Sequence, residues 1–110
     1  MSRITLFTHK DSGISITMVL FFNEKDQLVF EGYDIGSTVD DFWGDSDYEY
    51  GFTVEPKEVQ KLYELLGVKS GYKSALLREI KNRFAGNHAY SKLTEFLGEN
   101  DIDFHGSSWI

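Results

Sequence analysis

The first half of the chain alternates apolar and polar residues with the two-residue period of a β-strand. Four segments carry this pattern, and residues that favour turns separate them. We expect strands over Arg3 to His9, Ile14 to Phe22, Gln27 to Ile35 and Ser46 to Val54. The short connections favour an antiparallel meander. In the third segment, Gly32 predicts a bulge or a close backbone approach.

The second half has the period of amphipathic helices. A first helix is predicted to begin near Pro56, whose missing N–H costs nothing in a first turn, and to end at Gly67. A second helix is expected from about Ser70 to Ala85, with Tyr72 on its buried face. A third is expected from about His88 to Leu97, where the following glycine ends it.

Together these patterns predict an α+β fold. About four strands in the N-terminal half form an antiparallel sheet, and three helices in the C-terminal half pack on one of its faces. The tail, with Ile102, Phe104 and Trp109, is expected to add a short edge strand. The chain has 110 residues, of which 41% are hydrophobic, so we expect a single domain over residues 1–110.

The composition narrows the classes of function. The chain has no cysteine, which excludes disulfides, thiolate catalysis and cysteine-ligated zinc. Its net charge of −7 repels nucleic-acid phosphates, so a basic macromolecule is the better partner. No signal-peptide pattern opens the sequence, and no apolar run approaches the roughly 20 residues that span a bilayer. We therefore expect a cytoplasmic protein that does not contact a membrane.

The sequence lacks the common catalytic motifs. It has no Gly-x-Ser-x-Gly elbow, no phosphate-binding glycine loop and no His-Glu-x-x-His pair. The segment Asp45 to Glu49 is similar to the start of a calcium loop, but Tyr50 and Pro56 occupy the positions that need Gly and Glu. We therefore expect no enzyme, no cofactor and no metal site.

Charge is distributed unevenly along the chain. Residues 26–56 hold nine acidic side chains and no lysine or arginine, whereas residues 57–92 hold eight basic and three acidic ones. We interpret the lysines and arginines of the second helix as a solvated face. In the fourth strand, alternation places Asp47 and Glu49 on the face opposite Tyr48.

We interpret the densest acidic stretch as a partner-binding surface. Carboxylates along one strand face repel each other, so an external cation would explain why the sequence keeps them together. An aromatic side chain ringed by carboxylates has the composition of a protein-binding hot spot. A solvated acidic face without a partner is the alternative interpretation. The predicted partner-binding residues are Asp40, Asp41, Trp43, Asp45, Asp47 and Glu49.

Several segments from Phe42 onward carry a family resemblance. They are the strand Tyr48 to Val54, the helix start Pro56-Lys57-Glu58-Val59, the motif Leu65-Leu66-Gly67, the helix end Phe96-Leu97 and the tail with Ile102, Phe104 and Trp109. This pattern resembles the small acidic immunity proteins that bacteria encode beside polymorphic or contact-dependent growth-inhibition toxins. The resemblance implies a non-enzymatic inhibitor that binds a basic toxin domain, such as a nuclease, and occludes its active site or an essential surface.

Two other functions stay open at the level of sequence. The carboxylate cluster would serve a small metal-dependent hydrolase, which predicts divalent-metal binding and a thermal shift on adding metal. It would also serve an acidic adaptor subunit that docks a basic partner without inhibiting it. Gene neighbourhood separates the adaptor from the immunity protein, because an immunity gene lies next to a toxin gene.

Overall fold

The secondary structure follows the order that the sequence patterns predict. The computed structural model describes residues 2–11, 13–36 and 47–109, with the backbone alone at positions 36, 47 and 107–109. The α+β prediction is confirmed, including the edge strand in the tail. The elements are β1 (Arg3–Lys10), β2 (Ile14–Phe22), β3 (Leu28–Gly36), β4 (Asp47–Val54), α1 (Pro56–Leu66), α2 (Lys73–Phe84), α3 (Ala89–Glu99) and β5 (His105–Trp109).

The five strands form one antiparallel sheet in the order β1-β2-β3-β4-β5. The first four strands are the predicted meander, and β5 returns after the helices to pair with β4. The turn between β2 and β3 is built by Asn23, whose side-chain oxygen accepts the backbone N–H groups of Lys25 and Gln27 at 2.9 and 3.1 Å. Asp26 completes that turn with a φ of 62°, a left-handed conformation that Asp tolerates.

The sheet carries a bulge, but not at the predicted glycine. The register shifts between Thr5 and Phe7 in β1, whereas β3 pairs without interruption through Gly32 on both sides. A bulge at Gly32 is therefore a wrong prediction. The glycine is required for another reason, because a Cβ atom there would lie 2.3 Å from the ring of its cross-strand neighbour Tyr50. The close approach at Gly32 is therefore made by the Tyr50 side chain and not by backbone.

Alternation along the strands separates a helix-facing side of the sheet from a helix-free side. On the helix-facing side, apolar strand residues join apolar residues of all three helices in one core, which confirms that the helices pack on one face. The strands contribute Leu20, Phe22, Leu28, Phe30, Phe52 and Val54, and the helices contribute Leu62, Leu76, Leu77, Ile80, Leu93 and Leu97.

Two helix boundaries differ from the predictions. α2 begins only at Lys73, because Gly71 has a φ of 90° and Tyr72 has a non-helical backbone. Tyr72 is 56% exposed, so its predicted place on the buried face is wrong. α3 continues through Gly98 to Glu99, and the chain then turns at Asp101 with a φ of 55°. A glycine in a helix lowers stability without ending the helix when the flanking turns are packed.

Candidate functional site

The helix-facing side of the sheet is covered at one end and uncovered at the other. Along β2, the exposed fraction falls from 47% at Ile14 to 4% at Met18 and 0% at Leu20. We call the part around Leu20, which the helices cover, the closed end. The part around Ile14, Asp34 and Tyr48 is the open end.

A groove of about 560 Å³ lies at the open end. Strands β2 to β5 form its floor, and the turn before α3 and the first residues of that helix form one wall. A smaller depression beside it shares Ile16 and Asn87 and extends toward β1. We call the larger site the tyrosine groove, and the polar and aromatic side chains that line it are Asp34, Tyr48, Tyr50, Asn87, Tyr90 and Ser91.

Three tyrosine rings define the shape of the groove. Tyr48 and Tyr50 are two residues apart on β4, so they share a face, and their rings stack with centroids 5.4 Å apart. Tyr90, from the first turn of α3, meets Tyr50 edge-on with a centroid distance of 5.0 Å and an interplanar angle of 81°. Phe30 supports both Tyr50 and Tyr90 from the core side, at 6.4 and 5.3 Å. The core therefore fixes Tyr50 and Tyr90, while Tyr48 is 37% exposed at the rim.

Asp34 supplies the negative charge of the groove. It lies opposite Tyr48 in the register of β3 and β4, and its carboxylate accepts the Tyr50 hydroxyl at 3.3 Å. Burial, followed by the nearby Asp34 charge, raises the pKa of the Tyr50 hydroxyl well above its ordinary value. Tyr50 therefore stays protonated and donates to the carboxylate.

No basic side chain of the described part of the chain lies within ion-pair distance of Asp34. The segment 37–46 contains no lysine, arginine or histidine either. His9, which lines the smaller depression, pairs with Asp11 at 3.2 Å. Among the described residues, no cation therefore neutralises the Asp34 carboxylate of the groove.

The predicted partner-binding residues fall largely outside the described residues. Asp40, Asp41, Trp43 and Asp45 lie there, and Asp47 is described by its backbone alone. Glu49 is exposed and lies opposite Tyr33 on the helix-free side of the sheet. The structure therefore places Glu49 on the other side of the sheet from the tyrosine groove.

Sequence reasoning missed the groove residues Asp34, Tyr50, Asn87 and Tyr90. One signal was available for Asp34, since it occupies the helix-facing phase of β3, where an apolar residue is the norm. Tyr90 packs against the core, and part of it also lines the groove. Contacts between β4 and α3 bring these residues together, and such contacts leave no local pattern.

The charge asymmetry of the sequence has a spatial counterpart. The basic helix α2 packs against β1, at the opposite edge of the sheet from β4 and β5. Two of its cations have acidic partners of this chain, because Lys73 pairs with Asp26 and Arg83 with Glu79 at 3.4 Å. These pairs fit the interpretation of α2 as a solvated charged face.

Among the side chains that the structure describes, no group of three or more His, Asp or Glu is placed to hold a metal ion. Within the same ranges, no helix is long and apolar enough to cross a membrane. Comparison of the chain with family models, with curated proteins and with solved structures gives no match.

Proposed function

We propose that this protein is a non-enzymatic immunity protein that binds a basic toxin domain in the bacterial cytoplasm and neutralises it. The observation that supports this proposal best is the tyrosine groove, an open site lined by three tyrosines and by Asp34, whose carboxylate accepts the Tyr50 hydroxyl. Tyrosine is enriched at the energetic centres of protein interfaces because its ring is large and stiff and its hydroxyl forms hydrogen bonds. A groove of this kind suits a protruding side chain of a partner.

The net charge of the chain supports a basic partner. At −7, the protein attracts a positively charged surface and accelerates its association, toward roughly 10⁸ M⁻¹s⁻¹ at low salt. Nucleases carry basic clefts that bind phosphates, and carboxylates of an inhibitor can occupy the same positions. We therefore propose a nuclease domain as the target, bound at its active site or at an essential surface nearby.

The residues that the sequence predicts to bind a partner are part of the same proposal. Along the chain they lie between the end of β3 and the middle of β4, the strands that carry Asp34 and Tyr48. We propose that they form a second contact with the toxin, which for Glu49 lies on the helix-free side of the sheet and not in the groove. In this contact Trp43 is an apolar residue and the carboxylates are partners of toxin lysines and arginines. The residues are Asp40, Asp41, Trp43, Asp45, Asp47 and Glu49.

The test is co-expression of this protein with the product of the neighbouring gene, followed by purification and an assay of that product's activity. We expect a stoichiometric complex that salt weakens and in which the toxin is inactive. Two groups of substitutions probe the two parts of the surface. The first combines Asp34→Asn with Tyr48→Ala, and the second combines Asp45→Lys, Asp47→Lys and Glu49→Lys.

A matched control is Glu24→Gln, which removes one charge from the turn between β2 and β3, far from the open end. We expect the control to protect as the wild type does, and both groups of substitutions to weaken capture. A neighbouring gene product that neither binds nor is inhibited would contradict the immunity function. A stable complex in which the partner keeps its activity would instead favour the adaptor function.

A further inference from the structure

The tyrosine groove is lined by tyrosine rings and by the Asp34 carboxylate, which has no cation among the described residues. The ring of Tyr48 stacks on Tyr50, the residue is 37% exposed, and Tyr90 stands edge-on to Tyr50 at 5.0 Å. Cations are attracted to the faces of such rings within about 6 Å of the centroid. Packing on Phe30 holds Tyr50 and Tyr90, so little rotamer freedom remains to be lost there on binding.

The carboxylate of Asp34 has acceptor capacity left over. Among the described residues, the Tyr50 hydroxyl is the one donor to this side chain, and it approaches Oδ1 at 3.3 Å. An ionised carboxylate has about four lone-pair sites on its two oxygens. The remaining acceptor sites are therefore open to the N–H groups of a ligand.

We propose that the tyrosine groove binds the guanidinium group of an arginine side chain of the partner protein. A guanidinium is planar, so it stacks on the exposed face of Tyr48 while it donates two N–H groups to the Asp34 carboxylate. A lysine ammonium is a strongly hydrated point charge, so it binds the Tyr48 ring and the Asp34 carboxylate together less well than a guanidinium does. The inference rests on the proposed function only for the source of the arginine, which would come from the toxin domain.

Short peptides test the groove without the partner. The probes are acetyl-Gly-Arg-Gly-amide, the same peptide with citrulline, which is a neutral isostere of arginine, and the same peptide with lysine. Each is titrated into ¹⁵N-labelled protein, and the amide resonances of Tyr48, Tyr50, Asn87 and Ser91 are followed by NMR. We expect saturable shifts with the arginine peptide, weaker ones with lysine and none with citrulline.

Substitutions assign the shifts to the proposed groups. Asp34→Asn preserves the shape of the side chain and should weaken arginine binding at least roughly tenfold, because it removes a charge-assisted hydrogen-bond pair. Tyr48→Leu removes the exposed ring and should weaken binding by about two- to fivefold. Glu24→Gln, at the far end of the sheet, should bind as the wild type does. The spectrum of each variant without peptide shows whether it is folded.

The outcomes separate this inference from the proposed function. Equal shifts with arginine and citrulline, or arginine binding that Asp34→Asn leaves unchanged, would overturn the guanidinium site even if the protein captures a toxin. Lysine binding as tight as arginine binding would overturn the assignment to a guanidinium. Arginine binding that depends on Asp34, in a protein that captures no toxin, would support the site and contradict the immunity function.

Discussion

The two ends of the helix-facing side show what covers a sheet and what leaves it open. Both ends use the same strands and the same alternation. At the closed end, Leu20, Phe30 and Phe52 are 0 to 2% exposed beneath the helices. At the open end, the equivalent positions carry Asp34 and Tyr48, side chains with polar atoms. Alternation therefore determines which side a residue faces, whereas the reach of the helices determines whether that position is buried in the core or exposed.

Two carboxylates repeat this contrast. Glu58, on α1, is 7% exposed, and its Oε1 accepts Lys61 Nζ and the backbone N–H of Asp103, both at 2.9 Å. Asp34, in the groove, has a tyrosine hydroxyl at 3.3 Å and no cation among the described residues. Glu58 therefore has its partners within the chain, whereas Asp34 keeps acceptor sites that the proposed arginine would use.

The largest loss of stability is expected from a substitution at the closed end. Phe30→Ala removes a ring that is 1% exposed and contacts the rings of Tyr50, Phe52 and Tyr90. We expect the free energy of unfolding to fall by about 3–5 kcal/mol, because both the transfer free energy and a cavity contribute. Urea denaturation measures the change. A loss below about 1 kcal/mol would show that the closed end is not the core of the fold.

The second largest loss of stability is expected at Gly32, which lies on β3 between Phe30 of the closed end and Asp34 of the open end. Gly32→Ala places a Cβ atom 2.3 Å from the Tyr50 ring, so either the ring or the strand must shift. We expect a loss of about 1–3 kcal/mol in the free energy of unfolding, the usual range for overpacking. The arginine peptide should also bind more weakly, because Tyr50 is displaced.

The control repeats Gly32→Ala in a protein that already carries Tyr50→Ala, where we expect the loss of stability to disappear or to become a gain. In Tyr50→Ala, the space beside Gly32 is free, and alanine in a strand is favoured over glycine by about 0.5–1 kcal/mol. Gly32→Ala should therefore be neutral or stabilising there, and a double-mutant cycle measures the difference. An equal loss in both backgrounds would mean that backbone conformation, rather than the ring, requires the glycine.

A smaller effect, dependent on pH, is expected for Glu58. The Asp103 N–H and then the Lys61 ammonium hold the pKa of Glu58 below its ordinary value of 4.5. A lowered pKa stabilises the fold fully above 4.5, and this contribution disappears as the pH falls through the lower, folded-state pKa. The melting temperature of Glu58→Gln should therefore lie below that of the wild type at neutral pH, and the two should converge in acid.

Glu64→Gln is the matched control for Glu58. Glu64 is exposed on the same helix, so the substitution removes an equal charge without removing the two hydrogen bonds. Thermal melts between neutral pH and pH values below 4.5 compare the two variants. A gap for Glu58→Gln that is the same at every pH would assign the effect to side-chain shape rather than to charge.

The sequence was enough to predict most of the fold, for reasons that are local. Period-two alternation placed β2 at Ile14–Phe22, the limits that the structure has. Pro56 and Gly67 predicted the ends of α1, because one lacks a donor that a first turn does not need and the other adopts a φ of 69°. Tyr72 was misplaced because its apolar spacing fits a helix that Gly71 delays.

The groove could not be predicted, because its residues are distant in sequence. Asp34 and Tyr90 meet only when β3, β4 and α3 have packed, and no short-range period encodes that contact. The acidic tally of residues 26–56 did include Asp34, but it gave no reason to separate this carboxylate from its neighbours. The helix-facing phase of Asp34 is the one sequence feature that distinguishes it.

The smallest effect on stability is expected at the exposed rim of the groove, where a partner would make contact. Tyr48→Ala removes the ring of a residue that is 37% exposed at the rim of the groove and that stacks, among the described residues, on Tyr50. We expect a change of no more than about 1 kcal/mol in the free energy of unfolding, as for most surface substitutions. Toxin capture and arginine binding should nevertheless weaken, since the exposed ring face is what a partner would contact. Urea denaturation of Tyr48→Ala beside Phe30→Ala measures this directly. Equal losses of stability would mean that both ends belong to one core. That outcome would contradict the proposal that the open end is a binding surface.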